Sequence, residues 1–111
     1  MFYEGHRDVN VKQVQLRMRC SKLNLHLFLL HVADSPSCAC GFDVEDSNHF
    51  LLECPLFNAE RQTMLQAISV ILDIQNLHEE TLLFGSDNCD LERNKLIFRA
   101  VHQFIKDTKR L

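Results

Sequence analysis

The stretch CACGFDVEDSNHFLLECP, residues 38–55, decides how this chain is read. It sets Cys38, Cys40, His49 and Cys54 within seventeen residues of a chain that has five cysteines. Three soft thiolates and one imidazole form the ligand set of a closed tetrahedral zinc site. The pattern is C-x-C-x8-H-x4-C, and its C-x-C is tighter than the common C-x2–4-C, so the turn must differ from an ordinary zinc knuckle. Four protein ligands leave no open coordination position, which points to a structural ion and away from a catalytic one. The plain alternative is a scatter of structural cysteines beside a surface histidine.

The rest of the chain makes such a staple useful. Its 111 residues are the size of one domain, and a chain this short buries a modest share of its surface. With 46% apolar residues, 24% charged residues, three Gly and two Pro, the composition is globular and short of the turn residues that a β-rich fold needs. The longest apolar run, Leu27 to Ala33, is interrupted by His31 and too short for a bilayer. The first residues, MFYEGHRD, lack the basic and apolar segments of a secretory signal. An intracellular chain, nuclear or cytoplasmic, with reduced cysteines is therefore expected, and clustered thiols then suit metal better than disulfides.

Residues 1–8 show no periodicity and read as a flexible leader. Residues 9–33 read as a basic helix over about 9–19, with Val11, Val14 and Met18 on one stripe and Leu16 off it, then a Leu-rich helix capped by Ser21. Pro36 ends that helix by pushing Ser35 out of helical geometry. Residues 38–54 form the zinc-binding segment: a tight turn with Gly41 in a left-handed conformation, then a helix capped by Asp46 or Ser47 and ending near Glu53. Residues 55–111 hold the C-terminal helices. Leu56, Ala59, Met64, Leu65, Ile68, Ile71 and Leu72 predict a long helix to about Asp73, followed by a connector, 74–78, and a short helix ended by Gly85. A last helix over 90–109 carries Leu91, Leu96, Ile97, Ala100, Val101, Phe104 and Ile105 as its stripe. The predicted fold is one all-α domain of about five helices with one zinc-stabilised, knuckle-like turn.

Charge is uneven along this order. Residues 1–37 hold five Lys/Arg against three Asp/Glu, residues 38–60 hold five acids and no Lys/Arg, and the total is −3. Lys12, Arg17, Arg19 and Lys22 form a basic patch suited to phosphates, or simply a solvated helix face. Asp43, Glu45 and Asp46 read as solvated charges in the turn, and Lys106, Lys109 and Arg110 as complements to a helix terminus. Cys20 and Cys89 read as buried or partly buried thiols, and His26, His31, His78 and His102 as residues of polar faces, although Cys20 or His31 could replace a ligand. Catalytic carboxylate pairs, a phosphate-cradling loop and a nucleophile elbow are all missing, so neither enzyme activity nor a small-molecule substrate is expected.

The run LRMRCSKLNLHLFLLHVADSPSCACG…HFLLECPLFNAER resembles the C-terminal region of non-LTR retrotransposon polyproteins, downstream of the reverse transcriptase. There an L-R-x-G-H-x-x-L-x-x-H-L segment leads to C-x-C-G…E-x-x-x-H-x-L-x-E-C and then A-R-x-x-L. Residues 14–65 carry most of the likeness. It implies zinc ligation by Cys38, Cys40, His49 and Cys54 and makes Leu16, Arg17, Leu23, Leu27 and Arg61 motif positions. Where the family has Gly-His, this chain has Arg19-Cys20. The resemblance implies a non-catalytic module that holds RNA or DNA, either a fragment of such a polyprotein or a remnant adopted by a host. A protein-interaction or homodimerisation module with structural zinc is the alternative, and a hydrolase with an open, three-ligand zinc is a third reading.

Overall fold

The computed structural model describes residues 7–73, 75 and 77–111, with side chains described from residue 11 onward. Residues 1–6 of the expected leader, and Ile74 and Asn76 of the expected connector, lie outside the described residues. Arg7 and Asp8 belong to the first helix. Among the described residues five α-helices follow in order: α1 (Arg7–Arg17), α2 (Asn24–Leu29), α3 (Asn58–Ser69), α4 (Glu79–Phe84) and α5 (Leu91–Thr108). Between α2 and α3 come a π-helical turn, His49–Glu53, and a 3-10 turn, Pro55–Phe57. Among the described residues there is no strand, and the fold is all-α as the composition predicts.

The 18-residue α5 is the axis of the packing. Asp90 caps it by accepting the N–H of Arg93 at 2.9 Å. Its buried face is Ile97, Phe98, Val101, His102, Phe104 and Ile105, whereas Leu91 and Leu96 of the predicted stripe are exposed. α3 lies along α5 and buries Arg61, Met64 and Ile68. Phe50 and Phe57 meet Phe104 at ring-centroid distances of 5.1 and 6.5 Å, which binds the metal segment to the α5 core.

α1 departs most from its predicted face. Val11, Val14 and Met18 are solvent-exposed, while Gln13 and Leu16 are each 1% exposed. The cause is hydrogen bonding. The last-turn carbonyls of α4 have no partners within that helix. Gln13 Nε2 donates to the carbonyls of Leu82 and Leu83 at 3.2 and 3.4 Å, and Arg17 Nε, one turn further along α1, donates to Leu83 O. His102 Nε2 also pairs with Gln13 Oε1. A polar stripe therefore docks this helix.

α2 is only six residues long, much shorter than the Leu-rich helix expected from Ser21. Leu23 occupies the N-cap position, and Ser21 instead pairs its hydroxyl with His26 Nδ1 at 2.7 Å and accepts the Leu23 N–H at 3.1 Å. The long helix expected from Pro55 begins as the 3-10 turn, leaving Leu56 exposed, and closes at Ser69. Gly85 ends α4 as predicted: its φ is +85°, and a Cβ there would sit 2.9 Å from Asn94 Oδ1.

Candidate metal centre

The turn after Pro36 is built by backbone bonds. Cys38 N donates to Phe42 O at 2.9 Å and Gly41 N to Cys38 O at 3.0 Å, which folds the C-x-C pair back on itself. Gly41 has a φ of +101°, the left-handed backbone expected of it. Asp46 Oδ1 then accepts the N–H of His49 at 2.8 Å, capping the next helical turn as the sequence predicted. That turn is π-helical, and Cys54 N closes on His49 O at 2.7 Å. The five-residue step from His49 to Cys54 is the span of such an i→i+5 closure, so two ligands that no α-helix would put on one face arrive at the same point.

The ligand atoms of Cys38, Cys40, His49 and Cys54 all lie within 4.8 Å of one another. The sulfurs of Cys38 and Cys54 are 3.7 Å apart, and Cys40 Sγ is 3.3 Å from His49 Nε2. Zn–S bonds of about 2.3 Å give a tetrahedral S···S edge of about 3.8 Å, so the spacing suits zinc. Cys38 and Cys54 are buried and Cys40 is partly buried. Each sulfur accepts a backbone N–H from two residues ahead: from Cys40, Phe42 and Leu56 in turn. Burial pushes the Cys38 thiol up to about 12 and raises Cys54, whereas the Phe42 N–H lowers Cys40. A dication bound here would supply the charge that lets all three ionise.

His49 points Nε2 at the thiols, while its Nδ1 is buried and finds no hydrogen-bond partner among the described residues. A histidine ligand usually gets its orientation from a bond at the second nitrogen. Here Phe42 stacks on the imidazole instead, with centroids 4.6 Å apart and planes within 6°.

Glu45 is not the solvated charge that its acidic neighbourhood predicts. It is 2% exposed. Its Oε1 accepts the N–H of Asn24 at 2.8 Å and its backbone carbonyl accepts that of Leu25 at 3.1 Å, so it satisfies the first N–H groups of α2 from a distant segment. Its Oε2 is 3.8 Å from Cys38 Sγ. Arg110, expected only to complement the end of α5, reaches back and grips both carboxylate oxygens. Lys109, in the left-handed conformation at φ 54°, turns the chain to allow this.

Arg61 is buried as well. Its Nε donates to Leu51 O and its Nη2 to Phe50 O, each at 3.0 Å, so it satisfies carbonyls of the π turn. Phe42 and Arg110 were not legible as part of the site, Glu45 was read as a solvated charge, and Arg61 stood only as a motif position of the resemblance, with no role attached. The signal available was an Arg amid apolar positions of α3; Arg110 stood within the basic cluster Lys106, Lys109 and Arg110 and gave none.

The other candidate residues are scattered. Cys20 and His31 are exposed and lie outside the ligand cluster, and Cys89 is partly buried. His26 and His102, read as polar-face residues, are each buried. Of the basic patch, Arg19 and Lys22 are exposed and Lys12 is partly exposed. Arg17 is turned inward, its guanidinium 5.6 Å from the Phe84 ring and 5.4 Å from that of Phe98. Arg19 lies on a cleft that also presents Asp46, Glu79, Glu80 and Asp87, so the surroundings of the patch are of mixed sign. Among the described residues no helix is long and apolar enough to cross a membrane. Comparison with models of protein families, with curated proteins and with solved structures found no match.

Proposed function

We propose that this chain is a non-catalytic zinc-binding module of retroelement descent that contacts RNA or DNA through its exposed basic residues. The observation that carries the metal part is the meeting of three sulfurs and one imidazole nitrogen within 4.8 Å. With all four positions filled by protein, zinc would polarise no substrate, and its work is to fix the chain between α2 and α3. Protein purified without added metal should carry about one zinc per chain, and chelation should unfold the domain. A metal-free chain with its full helical signal would overturn this part.

The nucleic-acid part rests on the exposure of Arg19 and Lys22, with the partly exposed Lys12 on α1, and on the likeness of residues 14–65 to the retrotransposon segment. Arg17 is unsuited to the role because it holds α1 to α4. Titration with RNA and DNA at two salt concentrations should show binding that weakens with salt and falls in an Arg19→Ala, Lys22→Ala variant. Binding that ignores salt and the double variant would sink it. Descent has its own check, which is whether a reverse transcriptase reading frame lies upstream in the source DNA.

One observation favours a second reading, association with another copy. Phe28, Leu29, Leu30 and Val32 are 39%, 54%, 56% and 71% exposed in one short run after the start of α2. A strictly monomeric species in sedimentation would count against it.

A further inference from the structure

A zinc ion held by three thiolates and a neutral imidazole carries one net negative charge. In this chain that charge does not stand alone. The buried carboxylate of Glu45 is a second negative group, with Oε2 3.8 Å from Cys38 Sγ. Two like charges at such separation in a desolvated place repel strongly. As a thiol, Cys38 can donate to Glu45. As a zinc-bound thiolate it has no proton to give, and the contact becomes unfavourable unless a cation answers it.

Arg110 is placed to answer it. Its Nε donates to Glu45 Oε2 at 2.9 Å, its Nη2 bonds to Oε1, and the same Nη2 reaches Lys22 O at 3.1 Å. A two-pronged guanidinium–carboxylate contact is among the stronger ion pairs, and its planar fork is not reproduced by lysine. The pair is also shielded, since the side chain of Glu45 is 3% exposed and that of Arg110 26%.

Resting on the zinc reading above, we propose that Arg110 is the counter-ion of the metal centre. It neutralises Glu45 beside Cys38 and thereby sets how tightly the four ligands hold zinc. Arg110 is a positioning residue here and touches no ligand atom. The C-terminal turn thus regulates a site whose ligands lie 56 to 72 residues earlier in the chain: displacing residues 109–111 would loosen the metal without disturbing any ligand.

The test is a competition titration of zinc against a chromophoric chelator, with cobalt absorption as a second readout. The natural chain is compared with Arg110→Gln, Arg110→Lys and the double variant Glu45→Gln, Arg110→Gln. Arg110→Gln should weaken zinc by about tenfold or more, in the range typical for losing a group behind the ligands. Arg110→Lys should fall between. The double variant removes both charges, so it should regain much of the lost affinity, which a merely mechanical clasp would not do. At saturating cobalt the thiolate charge-transfer bands should keep their intensity in every variant, showing that the ligands are unchanged. Zinc affinity within twofold of the natural chain in Arg110→Gln, or a double variant no better than the single, overturns the counter-ion role. Failure of the natural chain to bind zinc overturns the metal reading itself, so the two failures are told apart. Should Arg110→Gln not fold, Arg110→Lys takes its place: zinc affinity within twofold of the natural chain, or a double variant that binds no better than Arg110→Lys, overturns the role.

Discussion

His102 shows how a single residue can set the response of the fold to acid. Burial, reinforced by the nearby Arg17, lowers its imidazole from 6.5 to about 4. An unfolded chain would take up that proton near pH 6.5, the folded one only near pH 4, so the unfolded state binds more protons between them. The contribution to stability is therefore complete above about pH 6.5 and is lost as pH falls toward 4. It amounts to at most about 3 kcal/mol. Urea unfolding of the natural chain and of His102→Gln between pH 7 and 4.5 should show the steeper loss in the natural chain; parallel curves would refute the assignment. Arg61 makes the second case. Arg61→Met keeps the bulk but strands the carbonyls of Phe50 and Leu51, so a loss of about 2–4 kcal/mol is expected in the same assay. Neither residue could be read correctly from the sequence, because a histidine or arginine at a helical position looks the same whether it faces water or an unsatisfied carbonyl.

The elements share a common arrangement. α2, α4 and the π turn span six, six and five residues, too few to persist alone. Each has an end satisfied by a side chain from elsewhere: Glu45 for α2, Gln13 and Arg17 for α4, Arg61 for the π turn. Gln13→Leu should thus undock α1 from α4 and lower stability by about 2 kcal/mol, even though it adds apolar surface to a buried position. Gly41→Ala tests the knuckle. No atom lies within 4 Å of where its Cβ would be, so the cost comes from the left-handed backbone alone, about 1–2 kcal/mol. The chelator competition should register it as weaker zinc binding. The ligand cluster, the Asp46 cap and the Gly85 terminus were legible in the sequence because each rests on local chemistry, whereas α2 ends at Leu29, well before Pro36. The face of α1 was not legible, since it depends on which distant carbonyls needed donors, nor was the start of α2, whose N–H groups find their acceptors on the distant Glu45.

At the scale of the molecule, apolar surface is divided between a core and an exposed remainder. Leu16, Leu23, Phe50, Leu51, Met64, Ile68, Leu82, Ile97, Val101 and Phe104 join every helix into one interior except α2, whose preceding Leu23 and following metal segment stand in for it. Within that remainder the run Phe28 to Val32 predicts concentration-dependent association: Leu29→Lys with Leu30→Lys should remove any dimer seen by sedimentation while leaving the unfolding midpoint within error. Gln13 meets Leu82, Leu83 and His102, partners 69 to 89 residues further along the chain. During synthesis, then, the first helix emerges long before any surface exists for it to dock on. It must wait at the ribosome's mouth, open to chaperones and proteases, until α4 and α5 have been made.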